Sequence, residues 1–203
     1  MNDPLEPQGY FKEALAYTLR NEIGMGASLK IFTNDKADSG GPTSYGITRA
    51  TLSEWRGSEQ TQGDVEALTL VEATKIYLHM YWNRLSCGLV VKARISISLF
   101  DSAVLFGIGV TARYAQRALK QCGYPTIKVD GYIGVETVKA LNALTDVNLW
   151  LKIFQALLIS RVNMLTVEIP SDKDMKWRKG WLNRINRLSS CDDGVTREYC
   201  SIA

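Results

Sequence analysis

Apolar residues recur at helical spacing along nearly the whole of this 203-residue chain, and no alternating apolar and polar run is long enough for a strand of a substantial sheet. That periodicity restricts the fold to a mainly α architecture. Phe11, Leu15 and Leu19 mark one face of a first helix over residues 10–22, and Glu22, seven residues after Leu15, returns to nearly the same face. A glycine-rich polar stretch over 24–41 then opens a long loop, with Asn34, Asp35, Asp38, Ser39, Gly40 and Gly41 as turn-forming residues.

Thr48 is placed to cap a helix running through Leu52 and Trp55 to Gly57, and Thr69 with Glu72 reads as a capping box ahead of Ala73, Ile76, Tyr77, Met80 and Tyr81. Helical pattern continues over 95–106 and 111–122, breaks at Gly123 and Pro125, and resumes over 136–144, 149–167 and 177–188. Val129, Asp130 and Gly131 form a turn, beside which at most a short two-stranded ribbon is expected. The last helix carries Trp181, which is expected to anchor it to the main body.

The chemistry is narrowed by what the chain lacks. It has one histidine, His79, no GxSxG or phosphate-binding glycine loop, and four cysteines, Cys87, Cys122, Cys191 and Cys200, without the close pairs that a zinc site needs. No metal and no cofactor are expected, and the thiols are expected to be reduced, a Cys191–Cys200 bridge being open to the tail in an oxidising space. The net charge of +3 is mild. Its one cluster, Lys173, Lys176, Arg178, Lys179, Arg184 and Arg187, reads as a solvated helix face that an anionic polymer, cell wall or nucleic acid, could meet.

Carboxylates therefore carry the argument. Glycoside hydrolysis needs a carboxylic acid still protonated near neutral pH, and an apolar setting is how such a group is kept protonated. Glu22 closes an apolar stripe, although an arbitrary glutamate at a helix end is more often a surface ion-pair partner. Asp101, in mid-course of an apolar helix, would be costly if buried alone and is expected to cap or to pair with an arginine.

Glu22 after Asn21, followed by Asn34, Asp38, Gly40, Gly41 and then Thr43, Tyr45, Gly46, Ile47 and Thr48, resembles the signature of glycoside hydrolase family 108 muramidases. Asp64, Glu72, Ile76, Tyr77, Tyr81 and Trp82 resemble the middle of that family. Phe100, Asp101, Ala103 and Val104, then Gln116, Arg117, Val129 to Gly131, Gly134 and Thr137, and finally Gly180, Trp181, Asn183 and Arg184 resemble the predicted peptidoglycan-binding domain that follows it. The resemblance runs colinearly over residues 10–190. It departs at Ile23, at the extra residues between Met25 and Phe32, at Ser39 and at Leu105, which bear on the shape of the cleft.

The resemblance implies a lysozyme-like helical fold in two lobes, a muramidase lobe over 10–95 and a peptidoglycan-binding lobe over 96–190, with a tail over 191–203. It implies Glu22 as general acid, with Asp38 and Thr43 handling water on the far face of the sugar; Asp35 competes with Asp38, and both are also ordinary turn residues. Tyr45, Tyr81 and Trp82 are the candidate sugar contacts, Tyr45 foremost because it lies on the loop, against the alternative that helical aromatics are core. Inversion or retention depends on the carboxylate separation.

The implied partner is bacterial peptidoglycan, with no nucleic acid and no stable membrane insertion, and the chain is expected to be a monomer. The acidic, proline-broken start is not a secretory signal, which fits the endolysin that the resemblance implies, held in the host cytoplasm until a holin opens the way to the wall. Two other readings stand beside it: a lytic transglycosylase, which also relies on a single glutamate, and a wall-binding module that does not cut. A basic helical nucleic-acid binder would require steeply salt-dependent affinity.

Overall fold

The computed structural model describes residues 9–23, 32–33, 41–167 and 172–188, with the backbone alone at 22–23, 167 and 172–177. Among them the elements are α1 (Phe11–Ile23), β1 (Phe32–Thr33), β2 (Thr43–Ser44), β3 (Ile47–Thr48), α2 (Arg49–Arg56), α3 (Gln62–Glu66), α4 (Leu70–Tyr77), α5 (Ala93–Phe106), α6 (Ile108–Gln121), α7 (Val135–Ala143), α8 (Val147–Val167) and α9 (Asp172–Arg187). The fold is mainly α, as the periodicity requires, with one small three-stranded antiparallel sheet in the order β1, β2, β3.

That sheet is not where the sequence suggested a ribbon. Residues 129–131 form a turn without strands, and the pairing lies earlier, with Thr33 opposite Thr43 and Ser44 opposite Ile47. Tyr45 and Gly46 have φ of 52° and 76°, two successive positive values that give a two-residue turn whose twist matches that of β2 and β3. Glycine adopts such a value at little cost. Tyr45 does so against its Cβ, and its carbonyl oxygen is fixed by the Tyr77 hydroxyl, which donates to it at 2.9 Å.

The helix signals hold where caps fix them. The Thr48 hydroxyl accepts from the backbone N–H of Thr51 at 3.2 Å, and Gly57 closes α2 in the left-handed region at φ 69°. Thr69 likewise caps α4, but Glu72 does not complete the box. Its carboxylate is taken by Arg56, at 2.9 Å from Nε and 2.7 Å from Nη2, because a bidentate charged partner outbids a backbone N–H. The reciprocal box forms instead at Thr61 and Asp64, ahead of α3, which the apolar pattern did not reveal.

After Tyr77 the helix widens into a π-type turn over Leu78–Trp82, with Asn83 N–H bonded to the Leu78 carbonyl at 2.9 Å. The extra residue per turn puts Trp82 on the face of Tyr77. Both are buried; the Trp82 ring meets Phe11 and Phe100, and the Tyr77 ring meets Phe100, in edge-on contacts 5.5 to 5.9 Å between centroids. In α8, Trp150, Phe154, Leu158 and Val162 recur at four-residue spacing and are fully buried; Trp150 and Phe154 stack at 4.8 Å.

Among the described residues one hydrophobic core runs from Phe11 to Leu188. Helix α5 packs on α1 and on α6, α6 on α8, and α8 on α9. Every residue of α5 from Ile95 to Ala103 is buried, so this helix is enclosed on all sides. No helix among the described residues is long and apolar enough to cross a membrane.

Candidate active site

Glu22 occupies the last turn of α1; its side chain lies outside the described residues, as do Asp35 and Asp38. What is described is the seat of that turn. One turn earlier, Thr18 is fully buried and its hydroxyl donates to Asp101 Oδ1 at 3.0 Å. Next to Glu22, the Asn21 side chain donates to the same oxygen at 3.5 Å.

Asp101 is itself 1% exposed, and it is paired as a buried carboxylate in an apolar helix must be. Its partner is Arg184 of α9, with Nε 2.9 Å from Oδ2 and Nη2 2.8 Å from Oδ1, a fork-to-fork geometry. Arg184 is 7% exposed, which removes it from the solvated basic face expected of α9. Arg187 stays exposed and donates to Asn21 Oδ1 at 2.9 Å, and Arg178 reaches Asn163 at 2.9 Å. Of the two expectations for Asp101, a cap or an arginine, the structure shows the arginine, 83 residues away and beyond the reach of any local pattern.

Thr43 sits on β2, its hydroxyl 2.7 Å from that of Thr33 across the strand pair. Tyr45 is half-buried on the β2–β3 turn, and Tyr81 is half-buried with its ring 5.8 Å from that of Tyr77. Since Tyr77 also holds the Tyr45 carbonyl, the structure brings the β2–β3 turn and Tyr81 onto one tyrosine support. Trp82 is not part of that surface. At 1% exposure, and enclosed by Phe11 and Phe100, it offers no ring face to a sugar, and its assignment as a sugar contact is replaced by one in the core.

His79 stacks on Trp55 at 5.7 Å, a helix-surface contact. Among the described residues no group of three His, Cys, Asp or Glu is arranged to hold a metal ion. Cys87 is buried, and burial pushes its thiol far above the usual range, the condition of an inert cysteine. A surface depression of about 300 Å³ between α6 and α8, lined by Gln121, Lys152, Ile153, Ala156 and Leu157, has no carboxylate among those residues.

The turn at Asp130 is built as expected and is tightly held. Gln116, 1% exposed, donates to Asp130 Oδ1 at 2.7 Å and to the Tyr132 carbonyl at 2.9 Å, and accepts from Gly131 N–H at 3.0 Å. The bond from Gln116 first, and then one from the Tyr132 N–H at 2.9 Å, hold the Asp130 carboxyl below the ordinary carboxylate range. Trp181 packs against the core as an anchor of α9.

Residues 15–107 match the family described as Glycosyl hydrolase 108, and residues 110–186 match the one described as Predicted Peptidoglycan domain. The chain carries a glycosyl hydrolase 108 domain followed by a predicted peptidoglycan domain. The solved structure of SagA from Brucella abortus is similar over 93% of this chain and 97% of that one, with a TM-score of 0.73 and 25% sequence identity. No curated protein matches the chain. The two domains make it a glycoside hydrolase that acts on peptidoglycan, and the match to the hydrolase family spans Glu22, Asp38, Thr43, Tyr45 and Tyr81.

Proposed function

We propose that the chain is an N-acetylmuramidase that hydrolyses the β-1,4 bond between N-acetylmuramic acid and N-acetylglucosamine, with Glu22 as general acid. The observation that carries this reading is the position of Glu22: the glutamate that the hydrolase resemblance singles out falls on the last turn of α1, one residue beyond the anchored Asn21. The end of a helix concentrates partial negative charge, which favours a neutral carboxyl over an ionised one. A general acid needs that protonated state to donate to the leaving oxygen.

Water attacks from the opposite face of the sugar, guided by Asp38 and Thr43. The Thr43 hydroxyl, on the small sheet, is suited to such a role because its partner Thr33 is a neutral hydroxyl that leaves it able to donate or accept. Tyr45 and Tyr81 contact the glycan. The enzyme acts as a monomeric endolysin, made in a host cytoplasm and admitted to the wall by a holin, with residues 96–190 gripping the wall.

The test compares wild type with folded Glu22→Gln on purified peptidoglycan, following turbidity and the chemistry of the released ends. Wild type is expected to free reducing N-acetylmuramic acid ends, and the variant to lose activity by about 10²-fold or more. Anhydro ends from wild type would instead make the chain a lytic transglycosylase. Binding without cutting would leave only the wall-binding role.

A further inference from the structure

The Asp101 node does more than satisfy a buried charge. An ion pair sealed inside a protein is commonly matched or bettered in stability by apolar residues of the same volume, so stability alone is a weak reason to find one between α5 and α9. What such a pair supplies that apolar packing does not is direction. Asp101 Oδ1 receives the Thr18 hydroxyl at 3.0 Å, the Asn21 amide at 3.5 Å and Arg184 Nη2 at 2.8 Å, while Oδ2 receives Arg184 Nε at 2.9 Å. Arg184 Nη2 also lies 3.5 Å from the Asp101 carbonyl, and Arg187 holds the far side of the Asn21 amide at 2.9 Å.

Both α1 residues tied to this carboxylate lie just ahead of Glu22. Thr18 lies four residues before it, on the same helix face, and Asn21 is its immediate neighbour. Rotating or sliding the end of α1 therefore breaks bonds inside the core. We infer that Asp101 and Arg184 are positioning residues for Glu22. On this assignment α9, the last helix of the predicted peptidoglycan domain, is a working part of the hydrolase site as well as of the wall-binding lobe.

The inference rests on the reading of Glu22 as general acid. A displacement of about 1 Å in such a group is enough to cost roughly 10²-fold in rate, whereas the glycan-binding surface is left in place. Loosening the node is thus expected to lower kcat and to spare KM.

The experiment uses the full chain and soluble peptidoglycan fragments, so that kcat and KM separate, with pull-down on intact sacculi as the measure of wall binding. Thr18→Val keeps the volume and deletes the hydroxyl. It is expected to fold, to bind sacculi as wild type does, to keep KM within about twofold and to lose about tenfold in kcat. Thr18→Ser, which restores a hydroxyl, is expected to recover most of that loss. Arg184→Lys keeps the charge and loses the fork, and is expected to lose about 10- to 100-fold in kcat.

Folded Thr18→Val with wild-type kcat, a loss confined to KM, or no recovery in Thr18→Ser overturns the inference. Should Arg184→Lys not fold, the Thr18 pair decides alone. Glu22→Gln, measured alongside, separates the two readings: full activity there removes the general acid and this inference with it. An inactive Glu22→Gln beside a fully active Thr18→Val removes the positioning role alone.

Discussion

At the scale of single residues, Trp82 shows how burial decides between two roles that one side chain could serve. An indole on a half-exposed turn stacks on sugars; one enclosed by Phe11 and Phe100 fills volume. Replacing it by alanine leaves a cavity in the middle of the aromatic cluster and is expected to cost roughly 3–5 kcal/mol. For a chain of this size that lowers Tm by on the order of 10 °C. The informative variant is Trp82→Phe, which keeps part of the packing: thermal melts should show a clear loss of stability, while KM for peptidoglycan fragments stays at its wild-type value. A raised KM with unchanged Tm would return Trp82 to the glycan surface.

At the scale of elements, α2, α3 and α4 are joined by one guanidinium. Arg56 holds Glu72 through two bonds, donates from Nη1 to Gln60 Oε1 at 2.8 Å and lies 3.9 Å from Asp64. The bond from Arg56 is the main cause that holds the Glu72 carboxyl below its ordinary range, and the Thr61 hydroxyl does the same for Asp64. A carboxyl whose folded value is depressed stabilises the fold above its unfolded value and loses that contribution as the pH falls through the folded one. The pair is about a third exposed, so its worth is at most about 1 kcal/mol. Melting wild type and Glu72→Gln side by side from about pH 6 to pH 3 should show a Tm difference that shrinks as Glu72 takes up its proton. A difference that stays constant with pH would assign the effect to shape instead of charge.

The same elements show what was legible in the sequence and what was not. Thr48, Thr69 and Gly57 announced their helix ends because caps act through neighbours within a few residues. Glu72 misled, since its choice between the Thr69 backbone and Arg56 is made by a residue sixteen positions away. The wide turn at Leu78–Trp82 adds a single residue to a 3.6-residue period, too little to see in so short a stretch, and it moved Trp82 inside. Strands of two residues leave no alternation to read, so the small sheet was hidden and a ribbon was expected elsewhere. In the candidate site, Asp101 declared its need for a cap or a charged partner through its place in an apolar helix, whereas Thr18, Asn21 and Arg184 became part of that site only when α1, α5 and α9 were brought together.

At the scale of the whole molecule, two family matches meet between residues 107 and 110, yet the core does not divide there. Helix α5 lies in the first match and is buried over nine consecutive residues, with α1 against it on the hydrolase side and α6 on the other. Taking away residues 108–188 would expose the α6-facing side of α5 and leave Asp101 a buried carboxylate without Arg184. Losing one partner of such a pair costs about 3–5 kcal/mol, a large share of the 5–15 kcal/mol that holds a typical domain together. The two domains are therefore expected to unfold as one unit. Calorimetry on the full chain should show a single transition whose calorimetric and van't Hoff enthalpies agree, and residues 1–107 expressed alone should show no cooperative melt. Two resolved transitions, or a cooperatively folded and active fragment of residues 1–107, would mean that the hydrolase domain carries its own core and that α9 is dispensable to it; a single transition would make the wall-binding half a structural condition of the cutting half.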